Sequence, residues 1–71
     1  MKNVSIGEIA LKLGINKSKL AYFYSLGLLK SNSRVGKTNV FELDSTIKKF
    51  KKIEELKKKG KTLKEIKKLL N

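Results

Sequence analysis

Residues 6–20 read Ile-Gly-Glu-Ile-Ala-Leu-Lys-Leu-Gly-Ile-Asn-Lys-Ser-Lys-Leu. Their spacing puts Ala10, Gly14 and Leu20 at the offsets that two crossed helices need. Ala10 is small enough for a second helix to approach closely, Gly14 suits the positive φ of a sharp turn, and Leu20 plugs the space between the helices. This stretch predicts a helix-turn-helix.

The flanking residues agree with that reading. Ser5 with Glu8 makes a capping box, and Val4 and Ile9 occupy the staple positions around it, so the first helix starts at Ile6. Ile6, Ile9, Ala10 and Leu13 follow i, i+3, i+4, i+7, which turns one stripe inward and leaves Glu8 and Lys12 in water. Gly14 ends this helix. Asn16 caps a second one, stapled by Ile15 and Leu20, with Leu20, Phe23 and Tyr24 on its inner side and its end near Leu26. Gly27 stops it, and Leu28 and Leu29 enter the core. The helix-turn-helix thus occupies residues 5–27.

Residues 30–43 change character. Ser31, Asn32, Ser33, Gly36 and Asn39 interrupt any helical period, whereas Val35, Val40 and Phe41 suit short strands. The stretch reads as a β-hairpin with Val35-Gly36-Lys37 at its tip, and a hairpin this small must dock on helices to persist. Its alternative is a mobile basic loop. Asp44 or Ser45 then caps a helix over 44–59 whose stripe is Ile47, Phe50, Ile53 and Leu56, with Gly60 as its stop. Thr62 and Glu65 form a second capping box for a helix over 62–70, with Leu63, Ile66, Leu69 and Leu70 as its apolar face.

The chain has 71 residues, enough for one domain that buries roughly 60% of its unfolded surface. It contains no Cys and no His, which removes disulfides, thiolate and imidazole metal sites, and the usual nucleophile arrangements. No cofactor is expected. No apolar run approaches the ~20 residues that span a bilayer, and a cytoplasmic protein is the expectation. The balance of 18 basic against 6 acidic side chains, net +12, favours a polyanionic partner. Residues 48–68 alone hold 11 Lys against Glu54, Glu55 and Glu65. Part of that charge has a structural explanation, because Lys57, Lys58, Lys67 and Lys68 sit near helix C-termini and suit the negative dipole end. The rest reads equally well as a solvated face.

The order helix, tight turn, helix, hairpin, long helix, glycine, short capped helix resembles the DNA-binding domain of MerR-type regulators. The matching stretches are Ser5-Ile6-Gly7-Glu8-Ile9-Ala10, Gly14-Ile15-Asn16 with Leu20, Tyr22-Phe23, and Leu26-Gly27-Leu28-Leu29. Phe41, Ile53, Leu56, Gly60, Leu63, Glu65, Ile66, Leu69 and Leu70 continue the match, which covers nearly the whole chain. The resemblance implies a mainly α fold, a winged helix-turn-helix of four helices with a small β-hairpin wing, in one domain over residues 1–71. There are departures. Ala21 stands where the family usually has Arg before its paired aromatics, Lys37-Thr38-Asn39 stands where the wing commonly has Gly-Tyr-Arg, and Tyr24 replaces an acidic residue. In the family a long dimerisation helix and an effector-sensing region follow this unit, whereas the sequence here stops at Asn71. A fragment and a minimal member both fit.

The resemblance further implies that the front of the second helix enters the major groove, with Asn16, Lys17, Ser18 and Lys19 near base edges or phosphates and Tyr22 on the outward side. Asn16 has a competing duty as a cap, which takes precedence for its side chain. The wing sets Arg34, Lys37, Thr38 and Asn39 along the backbone or in the minor groove, Arg34 being the one guanidinium in the chain. Lys mainly neutralises phosphate, whereas bidentate Arg reads guanine, so specificity per copy is low and a second copy, a longer parent chain or a partner protein is needed on DNA. The leading function is sequence-directed binding of double-stranded DNA by a transcription regulator on the nucleoid. The alternatives are an excisionase-like or architectural DNA-bending protein and, less favoured, an RNA-associated basic protein. A membrane-surface role is disfavoured because the apolar faces are needed for the core. An enzyme fits least, since Glu54 and Glu55 point about 100° apart and no glycine-rich phosphate loop is present.

Overall fold

The computed structural model describes residues 2–70. Its elements run β1 (Asn3–Ser5), α1 (Ile6–Leu13), α2 (Lys17–Ser25), β2 (Ser33–Val35), β3 (Thr38–Glu42), α3 (Leu43–Lys58) and α4 (Leu63–Leu70). Four helices and a three-stranded antiparallel sheet, ordered β1-β3-β2, make a winged helix-turn-helix.

The helix boundaries follow local chemistry. Ser5 Oγ accepts from the Glu8 N–H (3.3 Å), and Asn16 Oδ1 accepts from the Ser18 N–H (2.9 Å), so each takes up an orphan donor of its first turn. At the first turn of α4 the box is reciprocal. The Glu65 N–H donates to Thr62 Oγ1 (3.2 Å) while the Thr62 N–H donates to Glu65 Oε1 (3.1 Å). The ends of α1 and α2 share one device. Gly14 and Gly27 have φ of 68° and 81°, which lets the Ile15 N–H reach back to the Ala10 carbonyl and the Leu28 N–H to the Phe23 carbonyl, both at 3.0 Å. A side chain at either position would strain that left-handed backbone. The turn at Gly14 sets the angle between α1 and α2, and the turn at Gly27 drives Leu28 and Leu29 into the core, each 2% exposed.

The start of α3 corrects the sequence expectation. The cap is neither Asp44 nor Ser45 but Glu42, whose carboxylate accepts from the Ser45 N–H (2.8 Å) and the Asp44 N–H (3.1 Å). Strand β3 runs into the helix without a loop, and the Leu43 N–H closes on the Lys2 carbonyl (2.8 Å), so the turn falls earlier than side-chain preferences alone suggest. Asp44 instead occupies the first turn, where the helix dipole favours a negative charge. Backbone N–H donors hold the Glu42 carboxyl below its usual range, those of Ser45 and Asp44 in that order. The Thr62 N–H and hydroxyl do the same for Glu65. A carboxylate with a depressed folded-state pKa contributes stability above its unfolded pKa and loses it as pH falls through the folded value. Thermal melts are therefore expected to drop as pH falls through and below the ordinary carboxylate range. The Glu42→Gln and Glu65→Gln variants should show a shallower drop, and melts whose acid dependence is unchanged in both would contradict the assignment.

The wing is a hairpin rather than a mobile loop, and its tip is the two-residue turn Gly36-Lys37, since Val35 pairs with Thr38. The sheet also has a strand that the sequence did not announce. In β1, Val4 lies opposite Phe41 and both are buried, at 4% and 1% exposure. Three residues are too few to display a period of two, so Val4 read only as a staple. A side-chain bond from Asn32 Nδ2 to Asn3 Oδ1 (3.1 Å) ties the start of the hairpin to this strand.

The core gathers Ile9, Leu20, Phe23, Phe41, Phe50, Ile53 and Ile66 from every layer of the fold. Phe23 and Phe50 pack with ring centroids 5.9 Å apart, and Tyr24 meets Phe41 edge-on at 5.5 Å. Two expected stripes need adjustment. Ile47 is only partly buried whereas Thr46 is buried. In α4, Leu69 is 61% exposed while Ile66 is buried and Leu63 and Leu70 pack partly against the core. At 100° per residue Leu63, Ile66 and Leu70 fall within about 60° of one another, and Leu69 lies about 90° from their centre.

Candidate nucleic-acid interface

The front of α2 and the wing meet around one open cleft of about 350 Å³. Lys17, Ala21 and Tyr24 line it from α2, Lys37, Thr38, Asn39 and Phe41 from the wing, and Ser5, Ile6 and Gly7 from the entry to α1. Lys17 and Ala21, four residues apart, share the row of α2 that faces this cleft, and Ser18 and Tyr22 form the next row outward. Lys17, Ser18, Ala21 and Tyr22 are all exposed. Tyr22 is 53% exposed even though its ring lies 6.3 Å from Phe23, so its polar end is available at the surface.

The strand register orients the wing. Arg34 is opposite Asn39, and Asn39 shares its face of β3 with the buried Phe41. Arg34 and Asn39 therefore lie on the same sheet face that covers the core, with Asn39 half-buried at the cleft. Lys37 stands at the exposed turn, and Val35 with Thr38 lies on the reverse face. All three residues of β2 are exposed. The turn thus brings its cation, Lys37, to the cleft that Lys17, Ala21 and Tyr24 line from α2.

Two of the residues expected at the interface have other partners. Asn16 Oδ1 is bonded to the backbone of its own helix, in keeping with the precedence of the cap. Lys19 turns away from the cleft and lies over α3, with its Nζ 2.9 Å from Glu54 Oε1 and 5.6 Å from the centre of the Phe50 ring. The contact has the distance of an ion pair without hydrogen-bond alignment. Lys57 sits in the same way over Phe23, also at 5.6 Å. These two lysines cover the aromatic seam between α2 and α3 with their stems.

The cleft also includes residues that sequence reasoning did not place there. Along the sequence Ala21 reads only as a missing Arg, and Tyr24 as an inner-side residue that stands in place of an acidic one. The i, i+4 step from Lys17 to Ala21 was the available signal for the first. Nothing in the linear sequence signals that residues 5–7 approach the wing, because β1 brings them there. Gly7 is helical, and a Cβ at this position would find only ordinary contacts, 3.8 Å from Ser5 Oγ and 4.0 Å from Lys17 Cδ. The two neighbouring carboxylates do not make a pair, since Glu54 meets Lys19 and Glu55 meets Lys59 at 3.3 Å. Among the described residues no group of His, Cys, Asp or Glu is arranged to hold a metal, and no helix is long and apolar enough to cross a membrane.

No curated protein and no solved structure matches the chain. The family model described as MerR HTH family regulatory protein does match, and it does so over residues 4–71. That span takes in the helix-turn-helix, the wing and both later helices, and the chain belongs to the MerR helix-turn-helix family of regulatory proteins.

Proposed function

We propose that residues 1–71 act as one DNA-binding unit that directs a transcription regulator to specific double-stranded sites in the cytoplasm, on the nucleoid. The observation that carries this reading is the meeting of Lys17 with Lys37, Thr38 and Asn39 around one cleft, on the exposed side of α2 and beside a wing whose strand β2 is exposed throughout. The N-terminal half of α2 enters the major groove, where Lys17, Ser18 and Tyr22 meet phosphates and base edges. The wing follows the backbone with Lys37, Thr38 and Asn39, and Arg34 reaches the adjoining minor groove. Asn16 supports this surface by fixing the start of the helix. Lys19 holds α2 to α3 and contributes to the field rather than to a base contact. The protein works by binding and not by catalysis, and self-association on DNA supplies the specificity that a lysine-rich contact set lacks.

Chemical-shift mapping with a duplex oligonucleotide tests the reading. The expected result is that amides of residues 17–22 and 34–39 shift together, and that shifts confined to α3 and α4 do not occur. A Lys17→Ala variant should keep its melting temperature while losing about 0.9 from the slope of log K against log salt. The corresponding Lys19→Ala change should leave that slope nearly intact. Stronger binding to structured RNA than to duplex DNA in direct competition would replace this reading with an RNA-binding one.

A further inference from the structure

A second cationic surface lies on the far side of the molecule from the cleft. The α2–α3 seam is formed by Lys19 and Phe23 against Phe50, Glu54 and Lys57. At 100° per residue, Lys48, Lys52 and Lys59 fall within about 40° of one another and roughly 180° around α3 from that seam. Lys51 flanks them. On α2 the same arithmetic puts Lys17 and Ala21 on the side away from α3. The cleft and the lysine stripe therefore face in nearly opposite directions, with α2 and α3 stacked between them.

The stripe holds four lysines against two carboxylates on the same side of α3, Asp44 and Glu55. Lys48, Lys51, Lys52 and Lys59 are all exposed. The ion pairs among the described residues are Lys19–Glu54 and Lys59–Glu55, which leaves Lys48, Lys51 and Lys52 with no carboxylate at ion-pair distance. Lys48 is three residues from Lys51 and four from Lys52, and the like-charge repulsion at those spacings is offset only in part by Asp44, four residues before Lys48, and Glu55, four after Lys51. A polyanion laid along α3 would relieve that repulsion. From Lys48 to Lys59 the stripe runs about 16 Å, a length over which duplex DNA presents on the order of ten phosphates.

We infer that this face of α3 is a second duplex-binding surface, so that one molecule bridges two segments of double-stranded DNA, one held by α2 and the wing and the other by Lys48, Lys51 and Lys52. The inference rests on the proposed placement of the first duplex. The described chain measures 36 × 23 × 22 Å, comparable to the width of a duplex, so a segment on one face leaves the opposite face open. Recognition at the second face is electrostatic and indifferent to sequence, because ammonium groups on flexible stems neutralise phosphate without reading bases.

The test uses the full chain, a biotinylated duplex on beads and a second, fluorescent duplex in solution, with single-duplex affinity measured separately by anisotropy. The wild type is expected to retain the fluorescent duplex at low salt. The Lys48→Gln/Lys51→Gln/Lys52→Gln variant, compared at equal occupancy of the bead-bound duplex, should retain at least tenfold less while its single-duplex affinity changes by no more than about threefold. The corresponding triple Arg variant should bridge as the wild type does, and helical circular dichroism identifies any variant that has not folded. Bridging by the Gln variant equal to wild type would mean that two copies, not two faces, join the duplexes, and would overturn the inference. Wild-type protein that occupies the bead-bound duplex without capturing the second would also overturn it, and would leave the reading of α2 and the wing intact. Absence of single-duplex binding would remove both.

Discussion

Raising monovalent salt from 50 to 200 mM is expected to weaken duplex binding by about 10²- to 10³-fold. The estimate follows from counterion release, in which each neutralised phosphate contributes about 0.9 to the slope, and from four to six contacts made by the exposed cations of α2, the wing and their surroundings. Net charge of +12 on 71 residues sets the sign of the field, but the number of phosphates engaged sets the slope. Fluorescence anisotropy over a salt series reads it directly. A flat plot of log K against log salt would mean that the cationic surface is not the binding surface, and the proposed role of Lys17, Arg34 and Lys37 would fall with it. The same series distinguishes sequence-directed from indifferent binding, because a specific site retains affinity at salt concentrations where random duplex has released the protein.

The second large effect concerns the seam on which the interface is built. Phe23 is 1% exposed, packs at a tilt against Phe50 with ring centroids 5.9 Å apart and lies beneath Lys57. Replacement by Ala is expected to cost about 3–5 kcal/mol, from lost burial and from the cavity left behind. A domain of this length has a total stability of roughly 4–10 kcal/mol, so Phe23→Ala should lose at least about a third of it, and at the low end of that range would be unfolded and bind DNA only as an unstructured polycation. Denaturant melts followed by circular dichroism check the magnitude. By contrast Tyr22, the adjacent aromatic, is 53% exposed, and Tyr22→Ala should cost under about 1 kcal/mol of stability while lowering duplex affinity. If the two neighbours had similar effects on stability, the division of α2 into a core side and a contact side would be wrong.

Much of the molecule was legible along the chain because its signals are local. Ser5, Asn16 and the Thr62–Glu65 pair act within one turn, and each cap lies where its side chain says it should. Gly14 and Gly27 mark the ends of α1 and α2 for the same reason, since a positive φ is a property of a single residue. The apolar stripes of Ile9 with Ala10, Leu20 with Phe23, and Phe50 with Ile53 and Leu56 follow from a fixed helical period. What the linear pattern missed depends on partners distant in sequence. Strand β1 exists because Val4 finds Phe41, and Glu42 caps α3 because β3 delivers it there. Lys19 illustrates the limit at a single side chain. Its position at the front of α2 predicts a contact with DNA, yet Glu54 and Phe50 on a helix that begins more than twenty residues later draw its ammonium across the seam.

By itself, then, the order of residues determined the helix-turn-helix, its caps and glycine stops, the presence of a wing and the excess of positive charge, because each depends on neighbours within a few residues or on composition alone. Tertiary structure decided which cations share a surface. It brought Lys17 to Lys37 and Asn39, withdrew Lys19 to Glu54, turned Leu69 outward and set the lysines of α3 opposite the cleft. The physical reason is that charge and contact act through space, and the distances that matter are fixed only when α2, α3 and the sheet pack on one another.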